Sequence, residues 1–171
     1  MTRFTVLVAA TEARSSVRTA AVHAADTVAA HTGVAADTTV IDLAELGPAL
    51  LDATNDDLTA ALAATAEADV LLVATPQVHG SYTGLLKVFL DRVPELGLAH
   101  AIALPIAVVD DLRNGRNIED DLRVLLSDLG AWVAEPGLLL SRHELAEPLS
   151  VIDVWAQIAA PALRQAFAVA V

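Results

Sequence analysis

Three stretches of this sequence gather side chains able to do chemistry, and each directly follows an apolar run. The first, Ala10-Thr11-Glu12-Ala13-Arg14-Ser15-Ser16, supplies hydroxyls at Thr11, Ser15 and Ser16 and a cation at Arg14. Set at the start of a helix, whose first amides lack intrahelical acceptors, such groups can hold a phosphate monoester. Thr19 adds a hydroxyl one turn further in, where it is less well placed. The same stretch also reads as a plain helix start, with Ser15 as N-cap and Arg18 on a solvated face. The second, Thr75-Pro76-Gln77-Val78-His79-Gly80-Ser81-Tyr82-Thr83-Gly84, opens with a Thr-Pro turn that leads the chain away from its apolar run. Gly80 and Gly84 let backbone approach a ligand closely, and Thr83 can cap a helix with Lys87 one turn inside. Local chemistry leaves open a simple strand-to-helix connection. The third, Val109-Asp110-Asp111, places two adjacent carboxylates ahead of a possible turn at Asn114-Gly115.

Other chemistry is thin. His23 and His31 stand eight residues apart on one expected helix, His100 precedes an expected strand, and His143 falls in an expected loop. None of these clusters as a zinc site requires. There is no cysteine, hence no disulfide and no thiolate ligand. Neither Gly-x-Ser-x-Gly, nor GxxxxGK[ST], nor GxGxxG is present, so hydrolase, P-loop and dinucleotide-Rossmann readings have no support.

The three stretches need a scaffold, and the chain alternates short apolar runs with longer amphipathic ones, the pattern of βαβ units. Strands are expected at 4–9, 38–43, 69–74, 101–109 and 133–140, the last at an edge or bulged because of Pro136 and Gly137. Helices are expected at 15–31 with Gly33 beyond its end, from Asn55 to about 66, at 83–93, and at 118–129 stopped by Gly130. A final helix would open on a Ser150/Asp153 capping box and kink at Pro161. This is an α/β chain, and the simplest arrangement is one doubly wound, five-stranded parallel sheet ordered 2-1-3-4-5, flavodoxin-like, spanning residues 1–171 as one domain. In that architecture ligands sit beyond the carboxyl ends of the strands, where the loops 10–16, 75–83 and 110–115 fall.

Composition agrees. The 171 residues suit one full core, and hydrophobic residues reach 55% with only 4% aromatic, so the surplus is Ala, Val and Leu. Mean hydropathy is +0.55, but the apolar runs are broken by charge or proline well short of the ~18–20 residues that cross a bilayer. A net charge of −12 argues against nucleic acid, which needs a basic face. The cytoplasm is the default compartment, with no membrane attachment expected.

The second stretch, continued as Ala74-Thr75-Pro76-Gln77-Val78-His79-Gly80-Ser81-Tyr82-Thr83-Gly84-Leu85-Leu86-Lys87, resembles the NADPH-dependent FMN reductase family, in particular the branch that serves sulfonate monooxygenases. Leu122-Arg123-Val124-Leu125-Leu126-Ser127-Asp128-Leu129-Gly130-Ala131 is similar to a second segment of that family, and the resemblance covers roughly residues 3–140. It implies a flavodoxin-like fold, FMN with NADPH or NADH as cofactors, a homodimer or homotetramer, and a flavin-dependent monooxygenase as acceptor of reduced flavin. The cofactor-binding residues it implies are Thr11, Arg14, Ser15 and Ser16 for the phosphate. Thr75, Pro76, Gln77, Val78, His79, Gly80 and Ser81, with Asp110 and Asp111, would lie along the ring. Tyr82 and the face 85–90 are candidates for an oligomer contact, or else pack internally. No catalytic side chain is implied, because hydride passes between cofactors.

Three positions depart from the family pattern. Glu12 brings a carboxylate to the phosphate loop, Val78 stands where a tyrosine usually flanks the flavin, and Val109-Asp110-Asp111 replaces a Gly-Gly-Thr/Ser segment. Free carboxylates at 110 and 111 would oppose a reduced, anionic flavin. An alternative reading follows: a flavodoxin-fold subunit that has lost flavin catalysis and serves in binding or assembly. Arg113 and Arg116 offer a further contact for the phosphate of a nicotinamide dinucleotide.

Overall fold

The apolar runs form a parallel sheet because their side chains find partners on both faces. β1 (Thr2–Val8), β2 (Ala36–Asp42), β3 (Val70–Pro76) and β4 (Ile102–Val109) pair in the order β2-β1-β3-β4, all parallel. The computed structural model describes residues 1–169, the side chains of Asn114 and Val169 aside. The last two residues of the domain expected over 1–171, and the Asn114 side chain of the anticipated turn, lie outside the described residues.

Alternation along the strands builds two cores. Phe4, Val6, Val8, Val70, Leu72 and Ala74 point to one face, where α1 (Ser16–Thr32) and α6 (Leu149–Val169) cover them. Leu7, Leu71 and Val73 point to the other, under α3 (Asp56–Ala66), α4 (Gly84–Leu90) and α5 (Gly115–Asp128). The alanine surplus belongs here: Ala20, Ala21, Ala24 and Ala25 of α1 are buried against β-branched and leucine side chains, which lets helix and sheet approach closely. Strand order reverses between β1 and β3, so the loops leaving β1, β3 and β4 share one rim of the sheet.

Helix starts follow the expected chemistry. Ser15, Asn55 and Thr83 cap α1, α3 and α4, each accepting a backbone N–H three residues on. Gly33 ends α1 with φ 74°, the left-handed conformation glycine adopts without strain. α4 stops at Leu90, short of the expected 93, because Pro94 disfavours helical backbone before it. α5 starts earlier than expected, at Gly115, behind a 3-10 turn at Leu112–Asn114 that Asp111 caps.

Other elements correct the sequence reading. The last strand is two pieces, β5 (Trp132–Val133) on the beginning of β4 and β6 (Leu138–Ser141) on its end, interrupted around Pro136. A short helix, α2 (Leu43–Leu46), and a 3-10 turn at Gly47–Leu51 follow β2. Ser150 lies inside α6 rather than capping it, and Asp153 instead accepts from Gln157 and meets His31 Nε2 of α1 at 2.8 Å. α6 is continuous through Pro161. Among the described residues no helix is long and apolar enough to cross a membrane, and no His/Asp/Glu group could hold a metal ion.

Candidate functional site

The loop from β1 to α1 is held from the neighbouring strand. Ala9 and Ala10 remain buried, then Thr11, Glu12, Ala13 and Arg14 are exposed. Arg14 has φ 56°, an uncommon conformation for a residue with a side chain. Its N–H donates to Asp42 Oδ2 (2.9 Å), and its guanidinium turns aside to Glu45 (3.2 Å). Ser15 Oγ accepts from Arg18 N–H (3.3 Å) as the N-cap, while Ser16 is exposed. Helix geometry leaves the first amides of α1 without intrahelical acceptors. Arg18 Nε is buried with no hydrogen-bond partner, 3.9 Å from Asp42 Oδ2. Ser15 and Ser16 thus stand at the α1 start with Arg18 in its first turn, Thr11 lies in the loop before it, and the Arg14 guanidinium is paired with Glu45.

Residues 75–83 are fixed by hydroxyls. Thr75 is fully buried; its Oγ1 donates to the Pro76 carbonyl (3.0 Å) and accepts from Thr83 N–H (3.2 Å). Thr83 Oγ1 donates to the Ala9 carbonyl (2.8 Å), joining this loop to the first one. Gln77 N–H extends the ladder to Val108 (2.7 Å) and its side chain reaches the Gly80 carbonyl (3.4 Å). Val78 and Ser81 then exchange backbone bonds of 2.8 and 3.2 Å around His79 (φ 51°) and Gly80 (φ 90°). Positive φ at both central residues is the two-residue hairpin geometry whose twist suits such a turn. Gly80 is thus required by the turn itself. The turn leaves Val78, His79 and Gly80 exposed, and Ser81 Oγ donates to Asp121 of α5.

After β4, both carboxylates are paired. Asp110 meets Arg142, just past β6, and Asp111 accepts from the Arg113 N–H (2.9 Å), Nε (3.1 Å) and Nη2 (2.8 Å). The hydrogen bonds from the Arg113 guanidinium, then from its backbone N–H, hold the Asp111 carboxyl below its ordinary value of 3.8. A carboxyl lowered in the folded state contributes stability that is complete above its unfolded value and is lost as pH falls through the folded one. The unfolding midpoints of wild type and Asp111→Ala are therefore expected to differ at pH 7 and converge in acid below both values. Urea titrations across that range check this, and a gap unchanged in acid would contradict it.

A family model for NADPH-dependent FMN reductases matches residues 2–145, which include all three loops. The chain belongs to the NADPH-dependent FMN reductase family. An FMN reductase (NADPH) of Pseudomonas putida is 37% identical over 81 residues, 47% of this chain and 41% of that protein. The chain spans about half or less of the length of the curated relatives it matches. The crystal structure of an NADH:FMN oxidoreductase in its apo form is 29% identical, covering 93% of this chain and 90% of that one with a TM-score of 0.78. An oxidoreductase from Corynebacterium diphtheriae, also 29% identical, covers 94% and 96% with a TM-score of 0.82.

For a member of the FMN reductase family, the rim holds residues that sequence reasoning passed over. Asp42 is buried at the end of β2, yet it is one aspartate among 22 acidic residues, signalled only by its place at the end of an apolar run. Arg142 and Asp121 lie 32 and 40 residues from the partners they meet, a separation at which no spacing rule applies. Of the face 85–90, Leu86, Phe89 and Leu90 fill the chain's own core, leaving Tyr82, Leu85 and Val88 partly exposed.

Proposed function

We propose that this protein is an NAD(P)H-dependent FMN reductase that passes reduced flavin to a monooxygenase or another acceptor. The observation carrying the reading is the family match from 2 to 145, which takes in every rim loop. The residues present fit a flavin mononucleotide. A buried Arg18 Nε lacking an acceptor, the free amides of the α1 start and the exposed Thr11 and Ser16 hydroxyls form a donor set for a phosphate. FMN, when bound, supplies the hydride-accepting chemistry.

The chain's own residues bind and orient. Thr11, Ser15, Ser16 and Arg18 would hold the phosphate end. Backbone of Thr75, Pro76, Gln77, Val78, His79, Gly80 and Ser81 would border the ring, fixed by the Thr75–Thr83–Ala9 bonds. Asp110 and Asp111 would border it on the other side, their charge offset by Arg142 and Arg113. That pairing removes the feature which had favoured a non-catalytic assembly subunit. Arg14, in the exposed loop and paired with Glu45, would add a second cation to the phosphate end. The cytoplasm and a homo-oligomer remain part of this reading, with Tyr82 and the exposed Val124 of α5 on the surface available to a second copy.

The test is an FMN titration of purified protein followed by flavin fluorescence, with NADPH and NADH oxidation measured with and without FMN. Saturable binding and FMN-dependent oxidation are expected. Absence of both would remove the reading.

A further inference from the structure

We propose that Asp42 is a positioning residue for the phosphate end of the nucleotide, a buried carboxylate that holds the 10–16 loop in its binding shape from the adjacent strand. The inference rests on the FMN reading and deepens it.

The geometry starts in the sheet register. Asp42 ends β2 directly beside Val8, the last residue of β1, so it stands where the loop leaves the sheet. Its side chain is 1% exposed. A carboxylate so far from water must be met by donors, and the donors here come from the loop and the elements flanking it. The two oxygens divide the work. Oδ1 accepts from the Ala44 N–H (3.2 Å) and caps the four-residue α2. Oδ2 accepts from the Arg14 N–H (2.9 Å) and faces Arg18 Nε at 3.9 Å. A residue serving only as a helix cap needs just the first of these.

The second oxygen acts on two features that matter to an anion. Arg14 holds a φ of 56° without being glycine, a conformation that persists only where surrounding bonds fix it. Arg18 Nε sits close enough to be attracted by the carboxylate, yet beyond hydrogen-bond distance and without another partner. Asp42 therefore draws the buried Nε side of the guanidinium to the helix start, while the side chain stays part-exposed toward the place a phosphate would take.

The discriminating ligand pair is FMN and riboflavin, which share the ring and differ by the phosphate. Wild type is expected to prefer FMN. In Asp42→Asn, which keeps the side-chain shape and an acceptor for α2, that preference is expected to fall about tenfold, the size of a lost charge-assisted bond. Riboflavin affinity should stay within about twofold. KM for FMN should rise with kcat nearly unchanged, as for a loss of uniform binding. Equal weakening of both flavins, or an FMN preference untouched by the substitution, would overturn the role of Asp42 alone. A wild type that binds riboflavin and FMN equally would remove the phosphate site and this inference with it. A measurement needing no variant is amide exchange in the free protein. The Arg14 N–H, in an exposed loop, is expected to be protected by Asp42, and exchange at the unprotected rate would overturn the clamp.

Discussion

Phe89→Ala is expected to lower the unfolding free energy by about 3–5 kcal/mol, the cost of emptying a fully buried aromatic site. Phe89 is 0% exposed on the inner side of α4, between Leu86 and Leu90, against the sheet face formed by Leu71 and Val73. Neighbouring side chains are mostly leucine, valine and alanine held on a rigid sheet, so the space left by the ring collapses poorly. With total stabilities of about 5–15 kcal/mol usual for domains, the variant should lose a large part of its margin. Urea unfolding measures this. The folded fraction should still bind FMN with the wild-type stoichiometry, since the ring is not part of the rim. A loss under about 1 kcal/mol would show that the α4 layer repacks freely.

Thr83→Val is expected to cost about 2–4 kcal/mol, through a different mechanism. Valine keeps the volume and removes the hydroxyl. The Ala9 carbonyl, buried at the end of the first loop, would lose its 2.8 Å donor, and Leu86 N–H would lose the oxygen that caps α4. An orphaned buried acceptor and a missing cap both weigh against the folded state. The same bond ties the loop after β1 to the loop after β3, so FMN affinity should weaken several-fold together with stability. Thr83→Ser, which retains the oxygen, should stay near wild type in both. Unfolding curves and flavin titrations of the two variants decide it: a valine variant as stable as the serine one would show that the bond carries little.

The architecture was legible because it is written in short-range chemistry. Continuous apolar runs such as Val70-Leu71-Leu72-Val73-Ala74 are too short for a buried helix and read as strands covered on both faces, and Ser15, Asn55 and Thr83 each announce a helix start. The order 2-1-3-4-5 is the simplest arrangement of the alternating elements, and the sheet adopts it. The final strand misled because Leu138–Ser141 and Trp132–Val133 carry the same apolar signal as one continuous run. Ser150 misled because a cap depends on where the chain turns, and here Pro148 already accepts from Ile152 N–H.

The rim was legible by type and less so by role. Gly80 reads as room for a flat ring, whereas its φ of 90° beside His79 belongs to the hairpin. Asp110 and Asp111 read as bare repulsive charges, since the guanidinium facing Asp110 arrives from residue 142. Asp42 carries no motif at all; its significance lies in burial and in which oxygen meets which donor. Long-range pairing is a property of the folded chain, and local patterns do not encode it.

The divided outer strand bears on how the molecule behaves in a crowd. An extended, flat sheet border invites another sheet to zip onto its unpaired peptide groups. Here one border is two stubs of two and four residues interrupted by a proline, and the other, β2, exposes Asp37, Thr38 and Thr39. Neither offers the long apolar template that cross-β growth requires. For a chain with 55% hydrophobic residues, short and polar borders of this kind work against edge-to-edge growth of the sheet.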